Sequence, residues 1–236
     1  MSLLTICQDV AYELGIGAPT SIVGSTDTNA LQLLRLANKE GEDLSQKTLW
    51  QVLTKEHTFT LDGLTPTQTY DMPADFRSII PSTTWNRDNK RVVINPVSPA
   101  EWQFLKGWTT ISGLNLRAHF RGDQLEFQQT LTSADDGKTI AFEYLSKYWS
   151  ETSGGTAQQK FAADTDVPKL DAELITQGIV WRFKKEKGLD WQPNYQEYTN
   201  LRNSIIARDG GARVINMGRG EFGGELGVNV SDRGFG

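Results

Sequence analysis

Cysteine, histidine and clustered positive charge are all scarce in this sequence. Cys7 is the only cysteine among 236 residues, so no disulfide framework and no CxxC site can form within the chain. Its place on the apolar face of an expected helix makes it a core residue. The only histidines, His57 and His119, fit no metal-ligand spacing and no HExxH motif, so each is expected to be a satisfied structural histidine. GxSxG elbows, P-loops and Gly-rich strand-to-helix turns are missing, which removes the common signatures of hydrolases and nucleotide enzymes. The net charge is −5 with no arginine-rich run, which argues against autonomous nucleic-acid binding by phosphate neutralisation. No Lys or Arg precedes Arg35, so no secretory signal is expected. No stretch approaches the roughly 18 apolar residues of a membrane span. These absences predict a protein with no catalytic residues, no metal, no cofactor and no membrane partner, folded in a reducing cytoplasm.

What is present is a globular mixture of 38% hydrophobic and 22% charged residues, with seven Trp and ten Phe to anchor cores or interfaces. Leu3, Ile6, Cys7, Val10, Ala11 and Leu14 recur at helical spacing, and Gly15 closes that helix. Asp27 or Thr28 can cap a second helix to about Lys47 with a seam of Ala30, Leu33, Leu34, Ala37 and Leu44. Beside this seam, Glu40, Glu42 and Asp43 read as a solvated acidic face. The alternative is a wall that repels passing DNA. Near the other end, a hairpin of two helices organises the chain. The first spans roughly residues 169–187 and carries Ala172, Ile175, Ile179 and Phe183, widened by Leu174, Val180 and Trp181. Pro168 suits its first turn, and Gly188 its end. The second runs from 190–193 to Arg208 on a seam of Tyr195, Tyr198, Leu201 and Ile205.

Between these helical segments the period changes to two. Residues 57–61 read as a strand entering the Asp62-Gly63 turn, and 91–95 as another. Pro73 ends a strand, and Asp75 can cap the turn after it. Ser98, Pro99 and Glu101 start a short helix whose inward face holds Trp102 and Leu105. Gly122-Asp123 and Asp136-Gly137 are tight turns before further strands, the last ending at Trp149. The expected class is α+β, with a helical core of about four helices, an inserted antiparallel β-domain and an extended Gly-rich C-terminal arm. The expected divisions are 1–56 and 168–208 for the helical core, 57–149 for the β-domain, 150–167 for a polar linker and 209–236 for the arm. The arm holds nine glycines in 28 residues and cannot offset its ordering entropy alone.

Two residue clusters invite a chemical reading. Glu126, Glu143, Asp135 and Asp136 could supply a carboxylate pair for glycoside hydrolysis, though a chain of this size always offers such pairs. Arg182, Lys184, Lys185 and Lys187 form the strongest basic cluster, which stabilisation of a helix C-terminus explains.

The order of elements carries a resemblance. An amphipathic helix pair precedes Tyr70, Met72, Pro73, Asp75, Phe76 and Arg77 in the pattern Y-x-M-P-x-D-F-R, then Trp85. An Asp-Gly turn and a strand ending EYLSKYW (143–149) follow, and the helical hairpin ends RDGG (208–211). This layout resembles the head-to-tail adaptor proteins of tailed bacteriophages, also called connector or tail tubular proteins. The resemblance implies a structural virion protein at the head-to-tail junction and not an enzyme. It implies a dodecameric ring of copies beneath the portal protein, with distal tail or nozzle proteins below and double-stranded DNA passing without sequence-specific binding. The C-terminal arm is then the portal-binding element, through Arg213, Val214, Ile215, Met217, Phe222, Leu226, Val228, Val230 and Phe235. A virion-associated cell-wall hydrolase and a β-domain module for a glycan or receptor are the competing classes.

Overall fold

The computed structural model describes residues 1–64, 69–95, 97–107 and 115–210. Helix α1 (Leu3–Leu14) starts where the Ser2 hydroxyl accepts from the Thr5 N–H and stops at Gly15, whose φ of 67° favours glycine. Helix α2 (Thr28–Ser45) is capped by the Asp27 carboxylate, which accepts from the Ala30 N–H. A single 3-10 turn at Gln51–Leu53 leads into β1 (Thr54–Thr60). Strands β2 (Thr69–Asp71), β3 (Phe76–Ile79), β4 (Trp85–Asn86) and β5 (Arg91–Val92) follow. Helix α3 (Pro99–Lys106) uses the expected cap, with the Ser98 hydroxyl accepting from the Glu101 N–H. Then come β6 (Ala118–Arg121), β7 (Gln124–Phe127), β8 (Thr139–Ser146), β9 (Ser150–Glu151), β10 (Ala157–Gln158) and β11 (Val167–Pro168). Helices α4 (Ala172–Glu186) and α5 (Gln192–Asp209) complete the order.

The class is α+β. Helices α1, α2, α4 and α5 share one core with Trp50, Leu53, Leu145, Trp149, Phe161 and Leu170. The β region has its own core around Leu61, Leu125, Phe127, Ile140, Phe142 and Tyr144. Its first sheet runs β1-β8-β4-β5, with β3 also on β8, and its second runs β2-β7-β6. Strand β8 belongs to both cores. Its even positions Ile140 and Phe142 face the β core, and Leu145 reaches the helical one. Trp149, fully buried, lies so close to α2 that a Cβ at Gly41 would stand 2.2 Å from its ring.

Four sequence expectations change. Pro168 does not begin α4. It pairs with Ser150 in β11, and Asp171 caps the helix instead by accepting from the Leu174 N–H. The polar stretch after Trp149 is ordered, carrying the small sheet β10-β9-β11. It is stitched to the first helix: Leu3 and Leu4 N–H donate to the Asp166 and Asp164 carbonyls, and the Asp164 carboxylate accepts from Ile22 and Val23 N–H. On α2, Leu36 takes the buried place expected of Leu34, which is half-buried. On α5 only Tyr198 is buried, while Leu201 and Ile205 are half-buried and Tyr195 is 39% exposed. The arm residues 211–236, and with them all nine expected portal-binding residues, lie outside the described residues.

Candidate functional site

The acidic run of α2 is a solvated face only in part. Glu40 is fully buried on the same stripe as Leu33, Leu36, Ala37 and Leu44, against α4. Room for it exists only because α4 has Gly178 there. A Cβ at Gly178 would lie 2.3 Å from the Glu40 carboxyl carbon. Arg182 Nε donates to Glu40 Oε2 at 2.5 Å, and Tyr198 OH donates to Oε1 at 2.5 Å. Arg182 Nη2 donates to Asp43 Oδ2 at 2.6 Å. Glu42 in turn accepts from Arg77 Nη2 at 2.9 Å and from Gln46. Each acid of the run thus has a named cationic partner, with Glu40 fully buried while Glu42 and Asp43 keep 36% and 44% of their side-chain surface in solvent. Burial pushes the Glu40 carboxyl above its ordinary value, and the Arg182 charge and the Tyr198 hydroxyl offset only part of that. Burial beside this carboxylate also pushes the Tyr198 phenol up. The network ties α2, α4 and α5 at one point.

The Y-x-M-P-x-D-F-R segment is a clasp between the two cores. Tyr70 OH accepts from the Asp62 N–H at 2.8 Å, and Met72 N–H donates to the Asp123 carbonyl at 2.9 Å. Asp75, expected to cap a turn, instead collects three side chains. Lys55 Nζ and Ser146 Oγ donate to its Oδ2 at 2.6 and 2.8 Å, and Tyr144 OH donates to Oδ1 at 2.8 Å. Phe76 stacks on Phe120, and Arg77 reaches across to Glu42 on α2. Burial alone would push the Asp75 carboxyl up, but the bonds from Lys55, Ser146 and Tyr144 hold it below its ordinary value. A carboxyl depressed in the folded state contributes stability above its unfolded value, about 3.9, and that contribution is lost as pH falls through the folded value. The wild-type chain is therefore expected to lose more stability between about pH 5 and pH 2 than an Asp75→Asn variant, read from urea midpoints across that range. Parallel pH curves for the two proteins would show that Asp75 carries no such linkage.

The remaining candidate groups are committed to local structure. His119 Nδ1 bonds the Val97 carbonyl at 2.8 Å and its ring stacks on Trp102. His57 packs edge-on to Phe142, and burial lowers its pKa against the pull of Asp75. Burial, with the Asp164 carboxylate nearby, pushes the Cys7 thiol up to about 12, far from a reactive thiolate. Of the four carboxylates considered for hydrolysis, Glu126 accepts from Lys106, Asp135 from Thr132, and Asp136 from the Gly63 N–H. Glu143 is exposed on the other sheet, in a groove of about 540 Å³ that Trp85 and the Glu56–Arg87 ion pair also line. The basic cluster is equally spoken for. Arg182 is in the buried network, Lys184 donates to Asn194, Lys185 sits over the Trp181 and Trp191 rings, and Lys187 over Phe183. Among the described residues, no group of three or more His, Cys, Asp or Glu could hold a metal ion. No described helix is long and apolar enough to cross a membrane.

Among the described residues, this geometry holds elements in place and does not gather reacting groups. The comparison with known families agrees: the family model described as SU10 adaptor protein matches residues 1–218. The chain belongs to the SU10 adaptor protein family. It is a phage adaptor, a structural part of the virion. The matched span takes in every described element of this SU10 adaptor, including both networks, and extends into the arm. No curated protein matches the chain. Sequence reasoning missed the role of Glu40, although its spacing from Leu33, Leu36 and Leu44 placed it on the buried stripe of the adaptor's second helix. An acid on such a stripe calls for a cation on the facing helix, and Arg182 is that cation. Asp75 gave no comparable signal, because its partners come from β1 and β8.

Proposed function

We propose that this adaptor forms a ring, dodecameric by the resemblance to head-to-tail adaptors, that joins the portal vertex to the tail and continues the DNA channel. The observation that carries this reading is the family match over residues 1–218, which covers the helical layer and the β region together. The two networks support it. They lock the helical layer to itself and to the β region, as a rigid ring component requires. The cation pairings support the channel. A net charge of −5, with the strongest basic cluster engaged in bonds and ring contacts, suits a surface past which DNA slides without sticking. In this reading the arm 209–236 is the portal-docking element, with Phe222, Leu226 and Phe235 as anchors and Arg213, Arg219 and Arg233 pairing with acids. The distal face meets tail or nozzle proteins. The chain is no enzyme.

Sedimentation tests this directly. The free protein is expected to run as a monomer and to co-sediment with its purified portal in several copies per ring. A chain that ignores the portal, or that digests purified peptidoglycan in a manner abolished by one carboxylate substitution, would replace this reading with the hydrolase one.

A further inference from the structure

The helical layer has two outward faces on opposite sides of α4, and their free charges are of opposite sign. On one side, α2 packs against Gly178 and Arg182 of α4 through Glu40. At about 100° per residue, Leu31, Arg35 and Asn38 stand roughly 160° around α2 from Glu40 and so face away from α4. Arg35 and the nearby Lys39 are exposed, as is Lys160, which shares a groove with Asn38 beside α2. Among the described residues, none of these three cations has an ion-pair partner. The acids next to them, Glu42 and Asp43, are already engaged by Arg77 and Arg182.

The other side of α4 is acidic. Glu173, Gln177, Val180 and Lys184 fall on one stripe, roughly 150° around the helix from Gly178 and Arg182. Helices α1 and α5 flank this stripe and close a cleft of about 30 Å³ with Glu13, Asn194 and Glu197. Glu13, Glu173 and Glu197 are exposed, and none forms an ion pair among the described residues. Lys184, the cation of the stripe, donates to Asn194 instead. Gln177 Nε2 donates to Glu173, while Gln177 Oε1 is buried with no hydrogen-bond partner. Partial burial, and then the nearby Glu173 and Glu197 charges, push the Glu13 carboxyl above its ordinary value against the pull of Lys184. Glu13, Glu197 and Gln177 Oε1 are all acceptors left open, which a Lys or Arg side chain satisfies and an anion does not.

We propose that these two faces meet between copies, the Arg35, Lys39 and Lys160 face of one copy docking on the Glu13, Glu173 and Glu197 face of the next. Two different patches on opposite sides make a head-to-tail contact. Such a contact repeats in one direction and closes into a ring when its rotation allows, whereas a self-complementary patch stops at two copies. A net charge of −5 makes whole copies repel, so the attraction has to be local. Leu31, 49% exposed, and Tyr12, 71% exposed and next to Glu13, give each face a large apolar side chain as well. Exposed charge pairs are individually weak, so free copies stay apart when dilute, and a portal that holds neighbours side by side strengthens the contact through effective concentration. Closure into a ring rests on the adaptor reading, whereas the pair contact is measured without portal and can fail by itself.

Sedimentation equilibrium of the free full-length protein at low salt is the test. The average mass is expected to rise above that of the monomer as the concentration approaches about 1 mM, and to fall back as salt is added. Reversing one face, by Arg35→Glu with Lys39→Glu or by Glu13→Lys with Glu197→Lys, should weaken this self-association at least about ten-fold. An equimolar mixture of the two variants should associate again, because each offers the other an opposite face, and that recovery also shows that both are folded. Wild-type protein that stays monomeric to about 1 mM would overturn the proposal. So would reversed variants that associate like wild type, or a mixture that does not recover although both variants melt like wild type. Attachment of the wild-type protein to portal, measured separately, decides the adaptor reading whichever way these results fall.

Discussion

Replacing Arg182 by Ala should cost roughly 3–5 kcal/mol of folding stability, the range for removing one partner of a buried ion pair. The size follows from what is left behind. Glu40 is fully buried, and the Tyr198 hydroxyl alone cannot compensate its charge. The sign of the pH dependence follows too. Burial already raises the Glu40 carboxyl in the intact protein, and without the guanidinium it rises further. A group with a raised folded pKa favours the folded state when protonated, so the deficit should be largest at neutral pH. It should shrink as pH is lowered through that raised value. A Glu40→Leu, Arg182→Met double variant should recover much of the loss, since apolar replacement of a buried pair is often near neutral. Urea unfolding of the three proteins measures this. A loss below about 1 kcal/mol for Arg182→Ala would mean that water reaches Glu40.

Ending the chain after Gly210 should leave the melting temperature nearly unchanged yet weaken attachment to portal by at least ~100-fold. The first half follows from composition, since nine glycines among residues 209–236 leave the arm too little apolar surface to form a core of its own. The second follows from multivalency. One arm binds weakly because ordering it consumes contact energy, but a ring of arms multiplies the affinity through effective concentration. Losing every arm removes the whole gain at once. Attachment by the shortened chain at full strength would move the docking surface to the helical layer.

Much of the fold was legible because its elements announce themselves locally. The Asp27 and Ser98 caps, the Gly122 and Gly137 turns and the periodic apolar stripes of α1 and α4 all stand where spacing puts them. What spacing missed depends on contacts between distant segments. Pro168 looks like a helix start until Ser150 pairs with it, and Asp75 looks like a turn cap until Lys55, Tyr144 and Ser146 converge on it. Glu40 lies between these cases, since its place on the stripe was visible and its partner was not. The weak seam of α5 has a plain cause. Its face packs through Tyr198, half-buried Leu201, Ile205 and Ile206, and the edge of Tyr195 on Trp181, leaving polar residues such as Asn203 and Ser204 at the surface.

The central claim is assembly on a portal, and one electron micrograph tests it most directly. Purified full-length protein mixed with its portal should appear as a second ring coaxial with the portal ring, its central channel continuing the portal's, while the protein alone shows no rings. Portal rings that remain bare at saturating protein, or protein bound off the axis, would contradict the adaptor reading.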